Sequence, residues 1–315
     1  MGKGKGKGRK WFDSFKTKKN ALIKNGFRSI APSSFVESEI IRISTLNDNQ
    51  REFWKNLQQH LIEEREKIIS DIIGAIDSTK KEGFESEYCR IVSSEFSNDP
   101  LNGAGSVLRP PGGRFNLAKT SSLSNYFIGL YMAEDYETAF AEKFHQSNED
   151  QTENLLCDFS LRPIESFSYY RTSIKIQNYI DLTTDETLKA FIVAIKDIEA
   201  PEYYLSMGKS LNIPVTMATN EILLRKSFFN AEYPLWAAWL DQPAPSQLFG
   251  HYCREAGIEG ILYPSVRNPS KKNMVLFPDN FKDSSAVIEL LDKAPHVPAE
   301  RRKITKENYQ NFINL

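Results

Sequence analysis

The chain has 315 residues, of which 40% are hydrophobic and 26% are charged, and its net charge is −1. This composition supports one large core or two modest ones and excludes a chain that is disordered throughout. No apolar run approaches the roughly 18 residues that a membrane-spanning helix needs. The N-terminus also lacks the apolar stretch of a secretory signal. We therefore expect a soluble cytoplasmic protein without a membrane span.

The cysteines and histidines show no pattern typical of a disulfide framework or a metal site. The cysteines are odd in number and form no CxxC pair. The histidines are scattered without ligand spacing. The residues concerned are Cys89, Cys157, Cys253, His60, His145, His251 and His296. We predict that the cysteines act as small hydrophobic side chains and that the protein holds no metal.

The basic N-terminal segment is distinct from the rest of the chain. Residues 1–30 carry eight Lys, two Arg and one Asp, a net charge of +9, so the remaining 285 residues carry −10. The first ten residues are a Gly-Lys repeat with nothing to bury, which predicts a flexible leader over residues 1–45. Such a leader is either simply solvated or contacts nucleic acid, an acidic lipid surface or an acidic protein surface.

A long amphipathic helix is predicted in the segment 46–84. Asn47 or Asp48 caps its start and Gly83 ends it. Its apolar stripe has helical spacing and consists of Trp54, Leu57, Leu61, Ile68, Ile72 and Ile76. We expect the stripe to pack on the following domain, and the alternative is a partner helix or a dimer seam.

Two arginines follow the predicted helix. Arg90 lies in the apolar strand EYCRIVS, and Arg114 comes directly after the Gly112-Gly113 turn. An isolated charge is costly to bury, so Arg90 should have either a structural carboxylate or a ligand phosphate as its partner. The planar guanidinium of Arg114 is suited to holding an anion.

An aromatic strand and a helix come next. Residues 126–133 have the composition of a buried strand, and Asp135 opens a helix with Phe140 on its apolar side. Thr138 and Glu142 lie on the opposite side of that helix. Glu142 is therefore either one carboxylate of a solvated face or a group of a site.

The second half alternates strands and helices. LLCDFSL (155–161) reads as a strand, Thr183 caps a helix, and aromatic helices over 200–245 form core and lid. Ser246 caps a short helix that Gly257 ends. Two strands around a turn follow in residues 260–278, and Ser265 lies at the end of the first, a usual place for binding groups.

These residues, in this order, resemble the RES domain family. The motifs are Arg90 in YCRIV, Arg114 in GGRFN, Tyr131 in LYMA, Glu142 in TAFAE, and Ser265 in YPSVRN before a VLFP strand. The resemblance covers about residues 87–281. It implies an α+β, ADP-ribosyltransferase-like RES domain, here placed over residues 85–292, with a helical N-terminal extension over 46–84 and a C-terminal tail over 293–315.

The resemblance also implies a function. Family members are typically toxins of bacterial toxin–antitoxin pairs that consume NAD+ by hydrolysis or phosphorolysis, and some modify a protein target. We expect an NAD+ phosphorylase or glycohydrolase that depletes cellular NAD, together with a cognate antitoxin or immunity protein. NAD+ is then a substrate rather than a cofactor, with inorganic phosphate as a candidate co-substrate. The alternatives are a mono-ADP-ribosyltransferase and a non-catalytic module recruited by the basic leader.

The resemblance assigns roles to five residues. Glu142 is the catalytic carboxylate that stabilises an oxocarbenium-like transition state, with Arg90 and Ser265 as further catalytic groups. Arg90 and Arg114 hold the pyrophosphate or a phosphate nucleophile. Tyr131 stacks on nicotinamide, and Ser265 bonds the nicotinamide ribose or its carboxamide.

Overall fold

The computed structural model describes residues 48–108, 111–119, 126–144, 166–213, 215, 217–230, 233–235 and 240–313. The predicted leader over residues 1–45, the predicted strand 155–161 and Cys157 lie outside these ranges. Within them, no helix has the length and apolarity needed to cross a membrane.

Two helices open the described chain and carry the apolar stripe. They are α1 (Asp48–Lys67) and α2 (Ile69–Asp77). The predicted single helix is therefore divided at Ile68, whose φ of −113° and ψ of 23° leave the helical region. The prediction for Gly83 is wrong, because α2 ends at Asp77 and Gly83 already lies in the first strand.

The apolar stripe packs within the chain, which confirms the first expectation for it. Leu57 and Leu61 of α1 join a cluster with Ala200 and Ile213. Ile72 and Ile76 of α2 are fully buried in the main core. Burial of a large aliphatic side chain contributes about 1.5–3 kcal/mol, so this packing ties the helical extension to the domain.

The remaining helices and strands complete a mixed fold. The strands are β1 (Lys81–Ser93), β2 (Leu130–Ala133), β3 (Phe167–Asp181), β4 (Gly260–Pro264), β5 (Lys272–Leu276), β6 (Val287–Leu290) and β7 (Lys303–Ile304). The helices are α3 (Gly105–Leu108), α4 (Tyr136–Phe144), α5 (Glu186–Ile195), α6 (Glu202–Ser210), α7 (Glu221–Phe228), the turn α8 (Tyr233–Leu235) and α9 (Pro245–Glu255). Short 3-10 turns occur at Ser94–Phe96, Pro278–Phe281, Ala299–Arg301 and Tyr309–Phe312.

The strands of the described chain form one sheet in the order β1-β2-β5-β4-β3-β6-β7. β1 also pairs with β3, so β1, β2, β5, β4 and β3 close into a ring. β3 and β4 are parallel, and the other pairs are antiparallel. A mainly antiparallel sheet with helices packed against it is an α+β architecture, as predicted.

The main core lies between the sheet and helices α2, α5, α7 and α9. Phe115, Phe249, Tyr252 and Phe277 are fully buried there. Cys253 is also buried in this core and Cys89 is buried in a smaller cluster, as their predicted role requires. The site described below lies at the margin of this core, where the turn between β4 and β5 contacts α4.

The predicted segment boundaries differ from the structure at both ends of the domain. The boundary at residue 84 falls inside β1, and residues 293–313 pack on the sheet instead of forming a separate tail. Ile304 pairs with Ile288 of β6, and Phe312 is fully buried. These apolar side chains need a core, and the sheet face provides it.

Two helix caps also differ from prediction. The hydroxyl and amide of Thr183 donate to Asp181, so Asp185 takes the N-cap position of α5. Helix α9 begins at Pro245, after Ala244, because proline at the first helical position already has a helical φ. Ser246, the predicted cap, therefore lies inside α9, two residues past the observed N-cap Ala244.

Candidate functional site

Glu142 is held by two side chains from the opposite end of the sequence. It lies near the end of α4, which begins where the carboxylate of Asp135 accepts the amide N–H of Thr138 at 2.8 Å. The Ser265 hydroxyl donates to Glu142 Oε1 at 2.6 Å, and Asn273 Nδ2 donates to the same oxygen at 2.8 Å. In the described chain Oε2 accepts no hydrogen bond. The carboxylate is therefore oriented and keeps one oxygen for another partner.

The turn between β4 and β5 fixes Ser265. Its side chain is buried, and Oγ accepts the backbone N–H of Asn268 at 2.9 Å and that of Arg267 at 3.2 Å. Its own N–H donates to Lys271 O at 2.9 Å. The prediction that Ser265 lies at a strand end is confirmed, and these bonds direct its hydroxyl proton toward Glu142.

A second contact joins the same turn to α4. Asn268 Nδ2 donates to Thr138 Oγ1 at 3.1 Å, and both side chains are buried. The side of α4 that carries Thr138 and Glu142 therefore faces the protein. On the opposite side, Phe140 packs on Phe144 and Phe167. Both faces of this helix are used, and Glu142 does not belong to a solvated face.

Asn273 was not singled out from the sequence. It lies in β5, opposite Tyr263 of β4 and Ala133 of β2, and its side chain is buried. A lone amide in the apolar strand KNMVL is the sequence signal that marks it, because a buried amide needs hydrogen-bond partners.

The turn that precedes Arg114 depends on both of its glycines, Gly112 and Gly113. Gly112 has a φ of +92°, and a Cβ there would lie 2.8 Å from Asn116 O. A Cβ on Gly113 would lie 2.3 Å from the hydroxyl of Tyr131. The first glycine is required by its backbone conformation and the second by the close approach of the tyrosine ring.

Arg114 keeps part of its donor capacity. Its side chain is 9% exposed, and Nη1 donates to Phe228 O and to Asn230 O, each at 2.8 Å. The guanidinium lies over the ring of Tyr233, 4.8 Å from the centroid. Nε and Nη2 make no hydrogen bond to the described residues. They are the donors with which Arg114 can meet an anion.

Tyr131 joins the turn through its hydroxyl. The hydroxyl accepts the N–H of Phe115 and donates to Asn116 Oδ1, both at 2.9 Å. Asn116 Oδ1 also accepts the N–H of Gly113 at 2.9 Å. Burial raises the pKa of Tyr131 well above its usual value, and the phenol therefore stays protonated. Tyr131 thus orders the loop that carries Arg114.

Arg90 forms no ion pair with a carboxylate among the described residues, and its guanidinium bonds to backbone carbonyls instead. Its Nε, Nη1 and Nη2 donate to the backbone carbonyls of Pro100, Tyr131 and Asn102, at 2.7, 2.8 and 3.2 Å. Burial lowers its pKa to about 10. Each nitrogen of Arg90 donates to a carbonyl of the loop 97–104 or of β2, so Arg90 joins this loop to β2. No hydrogen bond joins it to Glu142 in the described chain.

Two further tyrosines and an arginine surround the site. Burial raises the pKa of Tyr263 well above its usual value, and the Glu142 charge adds to this effect. Burial also raises the pKa of Tyr233, while the charges of Arg114 and Arg267 oppose the increase. Arg267 makes no side-chain hydrogen bond or ion pair with the described residues. The charges of Glu142 and Arg114 therefore act on both tyrosines, and that of Arg267 acts on Tyr233.

The arrangement combines a carboxylate with a free oxygen and two guanidinium groups with unused donors. The guanidinium groups can bind an anion, and the carboxylate can stabilise a cation that develops beside it. In the described residues, no cluster of three or more His, Cys, Asp or Glu side chains suits a metal ion.

The similarity to known proteins agrees with the resemblance. The model of the RES domain family matches residues 209–301. Of the five residues predicted for the site, Ser265 lies within the matched range and the other four precede it. The match also contains Asn273 and Arg267.

Solved structures are also similar to this chain. The M. tuberculosis MbcT–MbcA toxin–antitoxin complex is similar with a TM-score of 0.40 and 16% sequence identity, covering 77% of this chain and 96% of that chain. Among curated proteins, no sequence matches this chain.

Proposed function

We propose that this RES domain cleaves the bond between nicotinamide and ribose in NAD+. RES-domain toxins are in general NAD-processing enzymes. The observation that carries the proposal is the Glu142 carboxylate, whose Oε1 is held by Ser265 and Asn273 while Oε2 accepts no bond from the described chain. A fixed carboxylate with one free oxygen suits a reaction in which positive charge develops on a sugar ring.

In the proposed reaction, the glycosidic electrons leave with nicotinamide and neutralise its ring nitrogen. The ribose becomes an oxocarbenium-like cation beside Glu142 Oε2, which stabilises it electrostatically. Water or inorganic phosphate then adds to the anomeric carbon. The unused donors of Arg114 bind the pyrophosphate of the substrate, with Arg267 as the second cation.

In this proposal, the choice of nucleophile depends on which arginines can bind a free phosphate. From the sequence, Arg90 and Arg114 are both expected to hold the pyrophosphate or a phosphate nucleophile. The nitrogens of Arg90 donate to three carbonyls, so Arg90 has a structural role in this proposal. A phosphate nucleophile would depend on Arg267 and Arg114 instead.

The test follows release of nicotinamide and the fate of ADP-ribose, with and without phosphate in the buffer. Glu142→Gln keeps the size of the side chain and removes its charge, and we expect it to lower turnover about a hundredfold to a thousandfold. Glu137→Gln is the matched control, since Glu137 is an exposed residue of the same helix. Turnover by the Glu142 variant within about tenfold of the parent would refute the role of Glu142.

The products separate the remaining alternatives. ADP-ribose-1″-phosphate formed only with phosphate indicates a phosphorylase, and ADP-ribose at equal rates in both buffers indicates a glycohydrolase. Label from NAD+ that is retained on protein indicates a mono-ADP-ribosyltransferase. If no NAD+ is consumed under any condition, the remaining alternative is a non-catalytic binding module. As for other toxins of this type, we propose that a cognate protein neutralises the activity by covering the site.

A further inference from the structure

A cavity lies beside the segment whose carbonyls anchor Arg114. It is lined by residues of α1, α5, α7 and α9, and its volume is about 340 Å³, within the range of small-molecule sites. Phe228 and Asn230 form part of its wall, and their carbonyls accept the hydrogen bonds of Arg114. Glu142 and Ser265 are not among the residues that line it.

Two of the buried polar groups that line this cavity have no hydrogen-bond partner in the described chain. Arg65 of α1 lines it, and its buried Nε has no hydrogen-bond partner. Tyr252 of α9 also lines it, is 0% exposed, and has a buried hydroxyl without a partner. Arg65 and Tyr252 thus present their unpaired groups to the same cavity. Buried donors without acceptors cost free energy, which an acceptor in the cavity would recover.

The charged side chains of the described chain that line the cavity are all basic. Its charged lining residues in the described chain are Arg65 and Lys226, and no Asp or Glu lines it. Within the described chain, the Arg65 guanidinium forms no ion pair. The other walls are mainly apolar and include Phe191, Leu224 and Leu248, all buried. A ligand that suits both parts has an anionic end and an apolar body.

We propose that this cavity binds a small organic carboxylate with an aryl or alkyl body. The carboxylate accepts hydrogen bonds from Arg65 and from the Tyr252 hydroxyl, and the apolar body lies against Phe191 and Leu224. The planar guanidinium matches the two oxygens of a carboxylate. The site is separate from the proposed NAD+ site, and its binding is measured without turnover.

Calorimetric titration with 4-phenylbutyrate tests the proposal, with the neutral 4-phenylbutyramide as the matched probe. We expect saturable binding of one carboxylate per chain and at least about tenfold weaker binding of the amide, a difference of about 1.4 kcal/mol. Arg65→Met should weaken carboxylate binding by about the same factor, and Tyr252→Phe should weaken it severalfold. Arg171→Met is the control, because Arg171 is an exposed arginine paired with Asp292.

Three results would overturn the proposal. They are no saturable binding of 4-phenylbutyrate by the parent up to about 10 mM, equal affinity for the amide and the carboxylate, and unchanged affinity in Arg65→Met. If Arg65→Met does not fold, as judged by thermal unfolding, Tyr252→Phe and the amide comparison on the parent decide. Glu142→Gln should bind the probe as the parent does, so failure here is distinguishable from failure of the proposed NAD+ activity.

Discussion

The two hydrogen bonds on Glu142 Oε1 predict a measurable loss of catalysis when either is removed. Ser265→Ala removes a donor at 2.6 Å, and Asn273→Ala removes a donor at 2.8 Å. A hydrogen bond to a charged group contributes about 1.5–3 kcal/mol. Since about 1.4 kcal/mol is a factor of ten in rate, we expect each variant to lower kcat/KM for NAD+ by about tenfold to a hundredfold.

The assay is kcat/KM for nicotinamide release by the parent, the two single variants and the double variant. Both bonds end on one oxygen and together set one side-chain orientation. Once the first bond is lost, the side chain is less ordered and the second bond contributes less. We therefore expect the double variant to lose less than the product of the two single losses, as is usual for residues in one network.

Ser270→Ala is the control, because the same substitution is made five residues further along the turn. The Ser270 hydroxyl donates to Asn268 Oδ1 at 3.0 Å and does not contact Glu142. We expect its kcat/KM within about twofold of the parent. The reasoning is refuted if Ser265→Ala stays within about threefold of the parent, or if Ser270→Ala loses as much. Melting temperatures show whether each variant retains the fold, since Ser265 also accepts two backbone N–H groups.

Three further expectations concern the turn, the leader and the cell. Gly113→Ala should lower the melting temperature, because the added Cβ would lie 2.3 Å from the Tyr131 hydroxyl and overpacking costs about 1–3 kcal/mol. Gly74→Ala, with no atom within 4 Å of the added Cβ, should not lower it. Deletion of residues 1–30 should leave NAD+ turnover unchanged and alter salt-dependent binding; a folded truncation without turnover would contradict this. Production in bacteria without a neutralising partner should stop growth and drain NAD, whereas arrest at normal NAD would point to modification of a protein.

The order of motifs predicted Ser265 and Glu142 as site residues, but it did not predict the hydrogen bonds that orient them. Ser265 was predicted at a strand end, and the structure adds the two backbone N–H groups that fix its hydroxyl. Asn273 was missed because its role depends on register, which places it opposite Tyr263 and Ala133. Sequence periodicity gives the face of a strand but not its partner.

The break in the N-terminal helix and the position of residues 293–313 show the same limit. Ile68 has no helix-breaking chemistry, and the division there accompanies two different surfaces, since α1 packs with α6 while α2 packs in the main core. The C-terminal residues looked like a tail because their apolar side chains are few and widely spaced. Phe312 and Ile304 are nevertheless buried, because the sheet provides a face to cover. Tertiary contacts decide both features.

Arg90 and Arg114 differ in a way that only hydrogen-bond accounting reveals. Both were predicted to hold anions, and both donate to backbone carbonyls. Arg90 uses all three of its nitrogens on Pro100, Asn102 and Tyr131, whereas Arg114 uses Nη1 alone. A guanidinium has five N–H donors in a fixed fork, so the one with two unengaged nitrogens can take an anion without breaking an existing contact. Arg114 is therefore the better candidate for the substrate pyrophosphate, and Arg90 acts by keeping β2 and the loop before it in place.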